Sequence, residues 1–399
     1  MRTGTPGFRA GRLTEAREAR GLTQTSLSEL TGLKSQSISH YEQGRQSPSP
    51  DALAMLSEAL DLPARFFLKS APEFRANGIF FRNPPTHTRL AVKQARVSVA
   101  RRLGWLKEVA LYARRYVDLP ACALPDCPVA ETATGDQIER AAAAVRAVLN
   151  TGVAPLGNLI SLLEAKGCIV ARIPMDDELE GSCSHFEAGI PYLLLQAGDA
   201  GLAWQRYNVA HELGHLVMHR HIELFAAENP ESHKRIEAQA DRFARALLLP
   251  AEAFGKEVWA PNIDALLTLK KDWRCPVSVM VQRCGELGLF DADQVRRAGV
   301  NLVRRGWKVT EPRDEPASRE KPQLLASCLR LLVDEGLKDR HSILLDLGMN
   351  GADIEELAGL ERGYFAEGKL EVSGTLRLRR TGLPGTGYSR ENTGGTKSL

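Results

Sequence analysis

Residues 208–215 read Asn-Val-Ala-His-Glu-Leu-Gly-His, and no other stretch of the chain restricts its fold as tightly. On a helix, residues four apart lie nearly above one another. His211 and His215 can therefore aim two imidazoles at one metal ion, with Glu212 beside them as a carboxylate that does not ligate. From Leu202 to the motif there is no Pro or Gly, and Leu213, Leu216 and Val217 supply an apolar stripe, so the spacing predicts a helix. Gly214 costs about 1 kcal/mol against Ala inside a helix. Its presence predicts a close backbone contact.

A catalytic zinc holds three protein ligands and leaves one position open. The segment 235–250 reads as a second helix stopped at Pro250, with Glu237 and Asp241 four apart on one face. Glu237 can close the metal site, and Asp241 can accept the outer N–H of a ligand histidine. The bland alternative is an exposed acidic pair balanced by Lys234, Arg235, Arg242 and Arg245. His219, His221 and His233 are rival ligands. Three histidines on one straight helix cannot converge on one ion, so His219 is expected to cap or line the site, and the other two lie in the connecting loop.

The pattern Arg-x-x-x-Ala-His-Glu-Leu-Gly-His, followed by Glu-x-x-Ala-Asp-x-Phe-Ala-x-x-Leu-Leu-x-Pro, resembles the ImmA/IrrE family of bacterial metallopeptidases over roughly residues 150–290. Arg206, Ala210, His211, Glu212, Leu213, Gly214, His215, Glu237, Ala240, Asp241, Phe243, Ala244, Leu247, Leu248 and Pro250 carry it. The resemblance implies Zn2+ held by His211, His215 and Glu237, with Glu212 as the general base that activates the zinc-bound water. For the oxyanion stabiliser, Tyr207, His185 and Arg206 are the candidates.

The N-terminus carries a second pattern. Residues 12–20 form a short helix ended by Gly21. Residues 22–32 read as a Thr-capped helix stopped by Gly32, 33–44 as a third helix and 50–60 as a fourth. The second and third make a helix-turn-helix. The third helix hides Ile38 and Tyr41 and shows Ser35, Gln36, Ser39 and His40, side chains suited to base edges. Gln24, Lys34 and Arg45 are placed for phosphates. Residues 9–67 resemble the XRE (phage repressor/Cro-like) helix-turn-helix family through Gln24, Ile38, Glu42, Gly44, Pro48 and Leu60, with Phe66 and Phe67 closing the domain. The alternative is a small bundle used for protein contacts.

A chain of 399 residues with net charge +3 implies two or three domains, and any nucleic-acid surface must be local. There is no apolar run of membrane-spanning length and no apolar signal core, so the expectation is a cytoplasmic protein without membrane contact. Seven scattered cysteines read as reduced, individually packed thiols. Cys183 as an additional ligand is the less favoured reading.

The expected fold is α+β and mostly helical. A four- to five-helix DNA-binding bundle (8–70) leads into a helical connector (71–150). A zincin-like domain with a small sheet and the His-Glu-x-x-His helix follows (151–305), then a helical C-terminal region (306–380) and a disordered tail (381–399). Within the connector, the basic stretch 87–118 reads as one solvated helix face. Strands are expected at 168–173 and 191–195, with an edge able to pair with an extended substrate. Residues 308–322 read as a charged linker. Each module is expected to close its own core.

The function these readings imply is a DNA-binding regulator, homodimeric on a double-stranded operator, whose peptidase cleaves a repressor, an antitoxin or itself. The alternatives are a transcription factor with a non-catalytic metal sensor, or an antitoxin-like DNA-binding partner of a toxin.

Overall fold

A computed structural model describes residues 4–70, 79–81, 89–175, 182–198, 201–222, 229–307, 310–314 and 320–366. The expected tail from 381 lies outside them. The N-terminal bundle comprises α1 (Ala10–Ala19), α2 (Gln24–Thr31), α3 (Ser35–Glu42) and α4 (Pro50–Ala59), closed by a 3-10 turn at Ala64–Phe67. Local chemistry sets these boundaries. Thr23 accepts from Ser26 N and Ser49 from Ala52 N, capping α2 and α4, while Gly32 ends α2 at φ 70°, a left-handed conformation that favours glycine.

Next come the two-residue strand β1 (Phe80–Phe81) and the 25-residue helix α5 (Leu90–Arg114). They are followed by α6 (Gly135–Leu149), α7 (Leu159–Glu164), β2 (Ile169–Ile173), β3 (Cys183–Glu187), β4 (Ile190–Gln196) and α8 (Leu202–Gly214). A π turn, His215–His219, continues α8. The chain then forms α9 (Pro230–Leu248), α10 (Ala251–Glu257), α11 (Ile263–Trp273), α12 (Val277–Glu286) and α13 (Ala292–Arg304). Three C-terminal helices are α14 (Leu324–Asp334), α15 (Arg340–Leu347) and α16 (Gly351–Ala358). The architecture is α+β and mostly helical, as expected.

The sheet runs β1-β3-β4-β2. β2 lies parallel to β4, pairing Ile169 with Tyr192 and Ile173 with Gln196, and β3 is antiparallel to β4. Positive φ at Ala188 (51°) and Gly189 (79°) makes the two-residue turn that joins β3 to β4. The sequence reading anticipated β2 and β4 and missed β1 and β3.

Both faces of this sheet are covered, which accounts for the unbroken apolar run of β4. Ile169, Ala171, Ile173, Tyr192 and Leu194 face one core, built from α1–α5 and α14–α16. Val170, Leu193 and Leu195 face the other, built from α6–α13. The alternation of side chains along each strand thus joins the two cores through a single sheet. A separate core for each module is not what the chain forms. Helix α5 packs along α1 and against α14, α15 and α16. Phe66 meets Trp105 edge-on at 5.7 Å, the Trp105 indole donates to Glu15 Oε1 at 2.8 Å, and Arg12 reaches Glu108 at 2.5 Å.

Three basic residues of α5 are paired rather than only solvated, while Lys93 and Arg114 stay exposed as the sequence suggests. Arg101 pairs with Glu18 at 2.7 Å, Arg102 with Glu356 at 2.6 Å and Lys107 with Glu187 at 2.9 Å. Of the expected linker at 308–322, residues 310–314 and 320–322 are described, and these depart from the reading. Buried Glu311 accepts from Lys270 Nζ at 2.8 Å and from the Val277 N–H at 2.8 Å, at the start of α12. Buried Glu320 accepts from Leu159 N at 2.9 Å, at the start of α7. Acidic side chains at helix N-termini satisfy free N–H groups and the helix dipole, so a charged, Pro-containing stretch is here an anchor.

Trp105→Ala is expected to cost about 3–5 kcal/mol and to lower the stability of the bundle and the sheet together. Urea unfolding followed by probes in each part checks this. Two separate transitions, only one of them moved, would show that the cores are independent.

Candidate functional site

Helix α8 presents His211 and His215, and α9 presents Glu237, at the place where the two helices pack most closely. A Cβ on Gly214 would lie 3.1 Å from Phe243 Cδ1 and 3.3 Å from Ala240 Cα, so the close contact that Gly214 predicts is present. The His211 and His215 Nε2 atoms are 3.2 Å apart. Glu237 Oε2 lies 3.1 Å from the first and Oε1 3.3 Å from the second. Three donors arranged tetrahedrally about a zinc at its usual bond lengths stand about 3.3–3.4 Å apart. These three form a group able to hold a metal ion, and their spacing and chemistry fit zinc.

Protonation is organised for that purpose. His211 Nδ1 lies 2.9 Å from Asp241 Oδ1, which also accepts from the Tyr207 hydroxyl at 2.8 Å. Asp241 therefore stands on the outer nitrogen of His211. On His215, Nδ1 lies 2.9 Å from His219 Nδ1, and His219 Nε2 lies 3.0 Å from Gln239 Oε1. The Gln239 amide donates to the carbonyls of Ala130 and Glu131 at 2.9 and 3.0 Å. The amide fixes the direction of the chain: His219 donates from Nε2 and accepts at Nδ1 from His215. Both ligand histidines thereby keep their Nε2 lone pairs for the centre.

Electrostatics supports this direction at His219. Burial, together with the neighbouring His215, pushes His219 down to about 3, so it serves as a neutral acceptor. Burial acts to lower the His211 pKa as well, yet its bonds to Asp241 and Glu237 outweigh this and raise it to about 9, so without a metal ion His211 favours its protonated form, and a bound ion would displace the Nε2 proton. Burial opposes ionisation of Glu237, but the two imidazoles hold its carboxyl well below the usual range. Glu212 is 3 % exposed with Oε2 unbonded. Desolvation raises its pKa, against the pull of the two histidines. A carboxylate so placed can hold or release a proton next to a metal-activated water.

The sequence reading left His219 as a lining residue and missed Gln239. The signal for Gln239 was its place between Glu237 and Asp241 on α9. His221 is 60 % exposed and pairs with Asp126 at 2.8 Å, away from the centre. His185 is buried on β3, 3.7 Å from Glu187. Arg206 is buried in a bond to Glu320 and to the carbonyls of Leu156 and Gly157, which removes it as an oxyanion stabiliser. All seven cysteines are free. Cys183, buried on β3, is not part of the metal group.

On the N-terminal bundle, Ile38 is fully buried on α3, while Lys34, Ser35, Gln36 and Arg45 are exposed and Ser39 and His40 half-buried. Ser39 Oγ accepts from Gln43 at 3.0 Å. Gln24 donates to Glu42 Oε2 at 2.7 Å, and Glu42 takes Arg17 at 2.6 and 3.0 Å. Glu42 thus pins α1, α2 and α3 together and orients the Gln24 amide at the turn.

Residues 13–67 match the helix-turn-helix family, and residues 164–284 match the family described as the IrrE N-terminal-like domain. The chain therefore joins a DNA-binding helix-turn-helix of the XRE type to a peptidase-like domain. A comparison of the chain with curated proteins finds no match. Among the described residues no helix is long and apolar enough to cross a membrane.

His219→Phe would leave the His215 Nδ1–H unpaired in a buried site. It is expected to weaken zinc binding about 10–100-fold, read by competition with a chromophoric chelator, and unchanged affinity would show that the relay does no work. Gly214→Ala should destabilise by about 1–3 kcal/mol through overpacking against Phe243 and Ala240, measured by thermal unfolding.

Proposed function

We propose that the chain is a DNA-bound regulator whose IrrE-like domain is a zinc-dependent endopeptidase acting on a repressor, an antitoxin or the chain itself. The observation that carries this reading is the His211–His215–Glu237 group, with both histidines buried and Glu212 intact beside them. A module that only sensed a metal would have no use for that base. Zinc, when bound, polarises a carbonyl oxygen and acidifies water. Glu212 takes the proton from the attacking water and returns it to the leaving amine. Asp241, His219 and Gln239 hold the ligand tautomers throughout.

The bundle supplies operator binding, as a homodimer on an inverted repeat. Ser35, Gln36, Ser39 and His40 face base edges, and Lys34 and Arg45 face phosphates. Gln24, engaged by Glu42, orients the second helix against the backbone of the duplex. Gln36→Ala is expected to relax preference at one base pair by about 1–3 kcal/mol, whereas Lys34→Ala weakens all sequences alike. Gel shifts on operator variants separate the two, and unchanged preference in Gln36→Ala would remove base readout from that residue.

Glu212→Gln keeps the shape of the side chain but cannot accept a proton. Cleavage should fall about 100-fold or more, while zinc content and operator affinity stay within about threefold. Single-turnover cleavage of candidate repressors, beside operator titration, makes the comparison. Equal cleavage by the variant would dismiss Glu212 as the base. A wild-type chain that cuts no protein would replace the peptidase by a sensor.

A further inference from the structure

The outer edge of β3 lies over the metal centre, since both α8 and the π turn contact that strand. Such an edge can bind an extended peptide by backbone pairing, but here it is already paired. Phe80 lies opposite Ser184 and Phe81 opposite Cys183, antiparallel. The two side chains diverge. The Phe80 ring stacks on the His215 imidazole, 4.7 Å between centroids and 9° from parallel, and comes within 6.2 Å of His219. Phe81 turns to the opposite face, where the Arg96 guanidinium of α5 sits 5.0 Å over its ring. The sequence offers a matching signal in the apolar run Ile79-Phe80-Phe81 between Gly78 and Arg82, which the helical reading of the connector passed over.

We propose that Phe80–Phe81 is a built-in occupant of the peptide groove on β3, taking the strand position of an extended substrate, seating Phe80 on a ligand imidazole, and leaving before a substrate enters. The inference rests on the peptidase reading for what the groove is used for, though not for what occupies it. Tethered in the same chain, the segment acts at an effective concentration on the order of millimolar, so a micromolar free peptide cannot compete with it. The occupant also defines the class of partner: an extended segment with a large planar side chain at the position that meets His215. The clamp on the far side is α5, the helix on which the DNA-binding bundle is seated through Arg101–Glu18 and the bond from Ser98 to the Ala19 carbonyl. The occupant and the bundle are therefore held by one element.

The test uses the full-length, zinc-loaded chain with Glu212→Gln, so that nothing is cut, and a fluorescein-labelled peptide with the sequence of residues 77–83. Affinities are read by anisotropy. Phe80→Ser should bind the peptide at least tenfold more tightly than the parent, and Phe80→Tyr, which keeps the stack, should behave as the parent does. A peptide with serine at the Phe80 position should lose the gain. Because loss of the stack can loosen β1 without emptying the groove, replacement of both phenylalanines by serine is measured beside it, with zinc content determined for every variant. Equal affinity in parent and variants, or no binding to the doubly substituted chain, overturns the proposal. If binding rises as expected but the Glu212-intact variants cut neither this peptide nor casein, the peptidase reading fails while the occupant stands.

Discussion

The closeness of α8 and α9 is the condition on which the candidate metal site depends. Two imidazoles come from one helix, and a carboxylate with two supporting side chains from the other. Their mutual distances of 3.1–3.3 Å hold only if the backbones nearly touch. A single missing Cβ at Gly214 permits that approach against Ala240 and Phe243, and Ala210, Leu213, Ala244 and Leu247 complete a fully buried apolar seam. Placing so many ionisable groups in that seam would be prohibitive if any were left alone. None of the ligands is. Glu237 is charged because two imidazoles face it, and each imidazole is held from behind by Asp241 or by the His219–Gln239 relay.

A second constraint is the sheet with two buried faces. In β2 and β4 successive residues enter different cores, so neither strand can shift without disturbing both. A one-residue slip would exchange every side chain between cores. The helix-turn-helix bundle is seated by the same logic. Its 3-10 turn buries Phe66 against Trp105, and Arg20 pairs with Asp353 at 2.7 Å. Meanwhile Lys34, Ser35 and Gln36 remain exposed at the start of α3. The bundle thus docks through one side and leaves the start of α3 exposed on the other.

Much of this was legible because it is local. The cap at Thr23, the stop at Gly32, the four-residue spacings His211–His215 and Glu237–Asp241, and the steric reason for Gly214 all follow from helix geometry and short-range chemistry. What escaped were features that depend on distant partners. β3, reading Cys-Ser-His-Phe-Glu, lacks a clean apolar alternation and becomes a strand only through β4 and β1. Arg101, Arg102 and Lys107 of α5 look like a solvated face until Glu18, Glu356 and Glu187 are brought to them from three different elements. Glu311 and Glu320 sit in a stretch with the composition of a linker, and only the folded chain supplies the helix N-termini that they cap.

Arg206 shows how far a motif residue can differ in role from the chemistry next to it. It stands five residues before His211 on the same helix, a natural place to look for a group acting on substrate. Its guanidinium instead closes a buried pair with Glu320 and takes the Leu156 and Gly157 carbonyls. Glu320 in turn caps α7 and leads directly into α14, whose own first N–H groups are taken by Glu164 of α7 at 2.9 and 3.0 Å. Two reciprocal carboxylates therefore stitch α7 to the C-terminal helices, and Arg206 ties that stitch to the helix that carries His211 and His215. A buried pair of this kind contributes little over an apolar contact of equal size, yet removing one partner strands a charge and costs about 3–5 kcal/mol. Its effect is consequently on geometry more than on net stability. It fixes the angle at which α8 leaves the sheet, and with it the direction in which His211 and His215 point.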